Sequence, residues 1–316
     1  MHLADHQIPT RSGKKADPRI GRPAKRASGQ PGGVPWPWLL PALLCLILAR
    51  FLPTLAGAGY AFTDWNGLSG ARFVGPANFE EIFTDPLALR ALRNTIVIAL
   101  VVVCAGNLVG LLLAMGLNTV VKSRYLLRAV FFLPAVMSSL STAYVWKFLF
   151  QTDGIINHAL HWLHLQDQPR SWLADPATAL WSVCLVMIWQ MTGLAMVIYL
   201  AGLQAIPADL DEAAAVDGAS PWRRTLAVTL PLLRPATMIA VPLVSIVALG
   251  TFDQVMSLTG GGPVNMTETL ATQVYKQTFA NGRYGYGTAL SLVLTLIIVV
   301  VALVQMVAVR PRKDTP

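Results

Sequence analysis

Six long apolar runs decide what this chain can fold into. They lie near Trp38 to Phe62, Thr95 to Leu117, Ala129 to Phe150, Ala179 to Leu203, Ala236 to Leu258 and Thr288 to Val309. Each holds about 20 residues or more, the number whose helical rise of about 1.5 Å crosses a hydrocarbon layer roughly 30 Å thick. A backbone inside lipid must pair its own polar groups, so each run is expected to be an α-helix. Composition agrees, with 54% hydrophobic and only 13% charged residues, where soluble domains carry about 25% charge. The expected fold class is therefore all-α and integral to a membrane, with six transmembrane helices in one domain, residues 36–309. The connections leave no room for a separate soluble domain.

Charge sets the expected orientation. Of the 24 basic residues, sixteen fall before the first run or in alternate connections: seven between Arg11 and Arg26, then Lys122, Arg124 and Arg128, then Arg223, Arg224 and Arg234, then Arg310, Arg312 and Lys313. The other connections carry fewer, Arg72, Arg90, Arg93, Arg170 and Arg283, among acids such as Asp64, Glu80, Glu81, Asp85, Asp167, Asp175 and Glu268. The positive-inside rule places both termini in the cytoplasm. The +8 net charge is then a topology signal and not a nucleic-acid footprint. Residues 1–35, rich in Pro, Gly, Arg and Lys, read as a disordered tail that sets topology and touches headgroups, and 310–316 as a short cytoplasmic tail. The first run is too long for a cleaved signal peptide and lacks an A-x-A-like end. Cys45, Cys104 and Cys184 all fall within runs, so no disulfide is expected.

Catalytic chemistry has little footing. No G-x-x-x-x-G-K-[ST] occurs, and the turn Gly260-Gly261-Gly262-Pro263 lacks the strand and helix that a phosphate loop needs. His158, His161 and His164 recur at a spacing of three without further metal ligands, and Trp162 and Leu165 beside them fit an interfacial helix, so no metal site is expected. No nucleophile, base and orienting-group set lies on any run. Ionisable residues inside runs suggest function by default. Lys147 and Asp253 lie close to run ends and Arg50 is the deepest; no acid sits near a midplane, which disfavours ion-coupled secondary transport.

The most informative connection is Ile206 to Pro235, IPADLDEAAAVDGASPWRRTLAVTLPLLRP. Two short helices at an angle are expected. The first follows Pro207, with Asp209, Asp211 and Glu212 in its opening turn and Gly218 ending it in the left-handed conformation. Ser220 can cap the second, with Pro221 at its first position, and Leu230-Pro231 is expected to stop it. Ala213, Ala214 and Ala215 give the first helix a slim face that another protein could approach.

Glu212-Ala213-Ala214, three residues including Asp217, then Gly218 and, a dozen residues on, Leu230-Pro231 resemble the coupling loop of ABC importer permeases. The likeness continues through Phe62-Thr63-Asp64-Trp65, Phe73 to Phe79 and Asn94-Thr95, through Phe132-Leu133-Pro134 with Trp146, Gly154 and Asn157, and through Phe252-Asp253, Thr259 to Pro263, Tyr275, Phe279 and Gly285-Tyr286-Gly287. These segments are similar to sugar permeases of the MalF/UgpA type. Thr225 stands where that family usually has Phe, and Arg50 where it is usually apolar.

The resemblance implies the type I ABC importer permease fold and a carbohydrate importer in the bacterial cytoplasmic membrane. It implies a heterodimer with a second homologous permease, two ATP-binding cassette ATPases and an extracytoplasmic sugar-binding protein. ATP and Mg would be bound by the ATPases, leaving this chain without a cofactor or a catalytic residue. The coupling residues would be Glu212, Ala213, Ala214, Asp217, Gly218, Leu230 and Pro231. Sugar recognition joins hydroxyl hydrogen bonds to aromatic faces in the middle of a bundle, so Trp189, Gln190, Thr192, Ser245, Thr251 and Gln254 are the pathway candidates. Helix packing by polar residues competes for each of them. Alternatives are a permease for glycerol phosphate or an oligopeptide, or a secondary transporter.

Overall fold

The computed structural model describes residues 36–119 and 123–309. The tails predicted at 1–35 and 310–316 lie outside the described residues. Apart from one antiparallel bridge between Thr63 and Phe73, the described secondary structure is helical. Four helices are long and apolar enough to cross a membrane, and six spans result if each of two bent helix pairs counts as one.

The chain divides into two compact units, Met1–Leu52 and Pro53–Pro316. The described part of the first is the helix Trp36–Leu46 and the π turn Ile47–Phe51, which contains Arg50. The first candidate span is Leu39–Tyr60.

In the second unit, span two is one helix of 32 residues, Pro86–Leu117. It begins at Pro86 and not at Thr95, where the apolar run starts. Asp85 accepts a hydrogen bond from the Leu87 amide and Pro86 occupies the first turn, so capping chemistry overrides the hydropathy boundary. At about 1.5 Å per residue the helix is roughly 48 Å long, which exceeds the hydrocarbon thickness. Span four, Ala179–Gln204, is the central helix, and two-thirds of its apolar window is buried. Ile98 and Val102 of span two pack with Val183 and Met187 of span four and with Val244 and Ala248 of span five in the core. Span six runs Tyr284–Val309.

Two expected spans are corrected. The run Ala129 to Phe150 forms two helices, Arg124–Val136 and Ser139–Leu149, bent by 102°. Pro134 supplies no amide hydrogen, Met137 is extended, and Ser138 Oγ caps the second helix by accepting from the Ser141 amide at 3.2 Å. The run Ala236 to Leu258 also splits, into Arg234–Leu249 and Asp253–Leu258, with Gly250 to Phe252 between them. Asp253 thus starts a separate short helix and does not lie within a span. All three cysteines are free thiols, and Cys184 is buried.

Small residues let these helices approach. A Cβ on Gly193 would lie 2.3 Å from the Phe131 carbonyl oxygen of span three. Gly116 has open space around it. Gly193→Val is therefore expected to destabilise the protein by about 1–3 kcal/mol through overpacking, read as a lower melting temperature in detergent, whereas Gly116→Ala leaves it unchanged or raises it slightly. Equal melting temperatures for the two variants would refute the close approach.

Candidate functional site

Two regions hold the residues singled out by sequence. The first is the polar connection after span four. Helix Ala208–Val216 follows Pro207, with Asp209 and Asp211 in its first turn. Its end is a Schellman closure: the Ala219 amide donates to the Ala214 carbonyl and the Gly218 amide to that of Ala215, both at 3.0 Å, with Gly218 at φ +80°. Ser220 caps the next helix by accepting from the Arg223 amide, and Pro221 takes the first position. The expected stop at Leu230-Pro231 moves. The helix passes a π turn at Thr225–Thr229 and continues through Leu232, then bends by 70° into Arg234–Leu249. The π turn lies immediately before Pro231, whose missing amide disrupts the regular ladder. The bend falls at buried Leu233, just before Arg234 and Pro235 open the next helix.

The two arms are braced by Asp211 and Arg224, with 2.6 Å between Oδ2 and Nη1. A cavity of about 430 Å³ lies between this connection and the ends of spans two and four, lined by Asn118, Leu203, Asp211 and Arg224 among others. Glu212, Ala213, Asp217 and Gly218 are exposed and Ala214 is half-buried. Around them Val216 is 88% and Trp222 72% exposed.

The second region is a buried polar node at the broken ends of spans three and five. Gln190 Nε2 donates to the Met137 carbonyl at 3.1 Å, inside the break of span three. Gln254 Nε2 donates to Gln190 Oε1 at 3.0 Å and to Ser139 Oγ at 3.1 Å. Thr251 Oγ1 donates to Gln254 Oε1 at 3.3 Å, and the Thr251 carbonyl accepts from Thr269 Oγ1 at 3.0 Å. Gln190, Thr251 and Gln254 are therefore one network. Trp189 instead meets Trp146 edge-on at 5.6 Å. Thr192 Oγ1 is buried with no hydrogen-bond partner among the described residues. Ser245 is elsewhere, accepting from Gln305 Nε2 of span six at 2.8 Å.

His158 and His161 share the helix Ile155–Trp162, but His164 lies beyond its end at φ +55°. The three do not form one helical face.

Glu268 reads from sequence as an exposed loop acid, yet it is wholly buried. Its carboxylate accepts from Thr272 Oγ1 at 2.6 Å and Gln273 Nε2 at 2.9 Å and pairs with Lys276, which also donates to the Gly260 carbonyl at 2.8 Å. Gly261 is required there, because a Cβ would lie 1.9 Å from the Glu268 carboxylate and φ is +89°. Asn94 Nδ2 donates to the Met266 and Glu268 carbonyls, and the Leu270 amide donates to Thr95 Oγ1. The spacing of Glu268, Thr272 and Lys276 at i, i+4 and i+8 was the available signal.

Comparison with known proteins decides the family. Residues 106–313 match the model of the binding-protein-dependent transport system inner membrane component. The chain belongs to that family. It is 33% identical over 92% of its length to the probable starch degradation products transport system permease protein AmyD of Thermoanaerobacterium thermosulfurigenes, covering 99% of that protein. It is also 33% identical to the multiple sugar-binding transport system permease protein MsmF of Streptococcus mutans, over 86% of this chain and 93% of that one. Its fold is that of a solved bacterial ABC transporter involved in the import of the acidic polysaccharide alginate, with a TM-score of 0.76 at 23% identity, covering 88% of this chain and 96% of that one. The chain is thus a multi-pass ABC transporter permease of the bacterial inner membrane with the type I importer fold.

The polar node yields a direct test. Removing either glutamine leaves buried partners unpaired at about 1–3 kcal/mol each. A double-mutant cycle of Gln190→Leu and Gln254→Leu, followed by thermal unfolding, should give a coupling of about 0.5–3 kcal/mol. Strict additivity would refute the bond between them.

Proposed function

We propose that this permease forms a heterodimer with a second, homologous permease and moves a sugar into the cytoplasm. An extracytoplasmic sugar-binding protein delivers the substrate, and two cytoplasmic ATPases bind ATP and Mg and drive the cycle. Both termini and the connection 206–235 face the cytoplasm, as the distribution of basic residues supports. The relatives named for starch degradation products and for multiple sugars support a carbohydrate substrate.

The observation that carries the coupling reading is the exposed, internally braced helix pair ending at the bend beside Leu233. Glu212 to Gly218 is the part that seats in an ATPase cleft. Gly218 turns the chain sharply and the Asp211–Arg224 brace keeps the two arms together, so a push on the first helix reaches Arg234–Leu249 with little slack. In this reading Gln190, Thr251 and Gln254 exchange their mutual hydrogen bonds for sugar hydroxyls when the permease changes state, with Trp189 beside them as an aromatic face.

The test uses the complete transporter in proteoliposomes. Glu212→Lys and Gly218→Val are expected to lower uptake and binding-protein-stimulated ATPase activity by about tenfold or more. The valine must adopt a left-handed backbone that disfavours L-residues by about 1–2 kcal/mol, and the lysine reverses a charge on the docking surface. Wild-type coupling in both variants would overturn the role of the loop. Uptake that survives loss of the ATPases and collapses with an uncoupler would replace the whole reading with secondary transport.

A further inference from the structure

A pair of arginines at the opposite end of span two from the helix-pair connection has no role in translocation as described above. Arg90 and Arg93 lie in the part of the helix that precedes its apolar run. They line a cavity of about 560 Å³ with Asn94, Val97, Leu180 and Trp181, and no carboxylate contributes to its wall. Arg90 Nη1 donates to the Val264 carbonyl at 3.2 Å, which leaves most of its five N–H donors free. Arg93 has no hydrogen bond or ion pair among the described residues. Trp181 is 55% exposed, an amphipathic ring of the kind that sits at headgroup level.

A second cavity lies further along span two, against spans five and six. It has a volume of about 290 Å³ and is lined chiefly by Ile96, Leu100, Val103, Leu249, Ile297 and Val301. Arg93, Ile96, Leu100 and Val103 follow one another at i, i+3, i+7 and i+10, which places them on a single stripe of span two. Ile96 and Leu100 are both exposed large apolar side chains. Arg93 thus stands one turn above an exposed apolar stripe on the same helix, with the cationic, acid-free cavity beside it.

We propose that this stripe binds one anionic phospholipid, its phosphate-bearing headgroup held by Arg90 and Arg93 and an acyl chain lying along Ile96, Leu100 and Val103. Two unopposed guanidiniums select negative charge, and their planar donor forks match phosphate oxygens. The exposed apolar stripe below the arginines distinguishes a lipid from a free anion.

The complete transporter, purified in mild detergent, is to be exchanged into nanodiscs containing palmitoyl-oleoyl-phosphatidylglycerol or the corresponding phosphatidylcholine, and the retained lipid measured by native mass spectrometry. Phosphatidylglycerol should be retained in preference to phosphatidylcholine. Each arginine near a membrane surface is worth about fivefold in affinity, so Arg90→Gln with Arg93→Gln should weaken retention by about thirtyfold. If the double variant fails to fold, Arg93→Gln alone, which removes no protein contact, should lose about fivefold. A benzophenone side chain placed at Leu100 should give an adduct with the mass of the lipid. Equal retention by wild type and variant, displacement by inorganic phosphate, or an adduct with the second permease in place of lipid would each overturn the proposal. The first removes the headgroup contact, the second leaves only an anion site, and the third assigns the stripe to a subunit interface.

Discussion

A bilayer offers no hydrogen bonds to a backbone that leaves its helix, and this constraint organises the structure. The chain leaves its helix inside span three, at Met137 to Ser138, and again at Gly250 to Phe252, where span five ends. Each break frees carbonyls and amides from the helical ladder, and each is closed by a side chain from another element. Gln190 of span four serves the Met137 carbonyl, and Thr269 of the connection before span six serves that of Thr251. Gln254 joins the two breaks by reaching both Gln190 and Ser139. The bundle is therefore held in register by apolar packing along span four and by a small set of polar bonds across its irregular points.

Hydropathy located the apolar runs well, because lipid enforces the same pattern whatever lies inside it. It failed at the breaks in spans three and five. A run such as Ala129 to Phe150 stays apolar through a bend, so the average over the window carries no trace of the turn. The local signals were present: Pro134, the Ser138-Ser139 pair and Gly250 are the residues that interrupt a ladder or cap a new helix. Span two was misjudged at its start for the converse reason, since Asp85-Pro86 begins a helix whose first turns are not apolar. The helix pair after span four was legible almost residue by residue, because caps, Pro and Gly act locally. Its stop was not, since a π turn allows the chain to continue past a proline that would otherwise end it.

The candidate site was legible in identity but not in partnership. Polarity alone marked Gln190, Thr251 and Gln254, and they meet. The same rule marked Ser245, which bonds to Gln305 on another side of its helix, and Thr192, which joins none of them. Sequence cannot state which face of a helix meets which neighbour when nearly all faces are apolar. Glu268 was overlooked for a related reason: a lone acid in a loop reads as solvated until Thr272, Gln273 and Lys276 are seen to fold over it. Its burial is tolerated because Thr272 Oγ1 and Gln273 Nε2 donate to the carboxylate and the Lys276 ammonium balances the charge.

The placement of the breaks bears on how a push could travel. Arg234–Leu249 has an irregular joint at each end, the 70° bend beside Leu233 and the break at Gly250 to Phe252. Its 16 residues span roughly 24 Å at helical rise. One joint adjoins the exposed helix pair carrying Glu212 and Gly218, and the other adjoins the node of Gln190 and Gln254. A helix hinged at both ends can tilt without losing its own hydrogen bonds, and the bonds that resist the tilt are few and made by side chains. Coupling between distant sites requires an element with two arrangements that both sites bias. A rod jointed at both ends, held at one by glutamine side-chain bonds and at the other by the braced helix pair, has the joints at which a second arrangement can form, whereas an unbroken span locked along its length by packing has none.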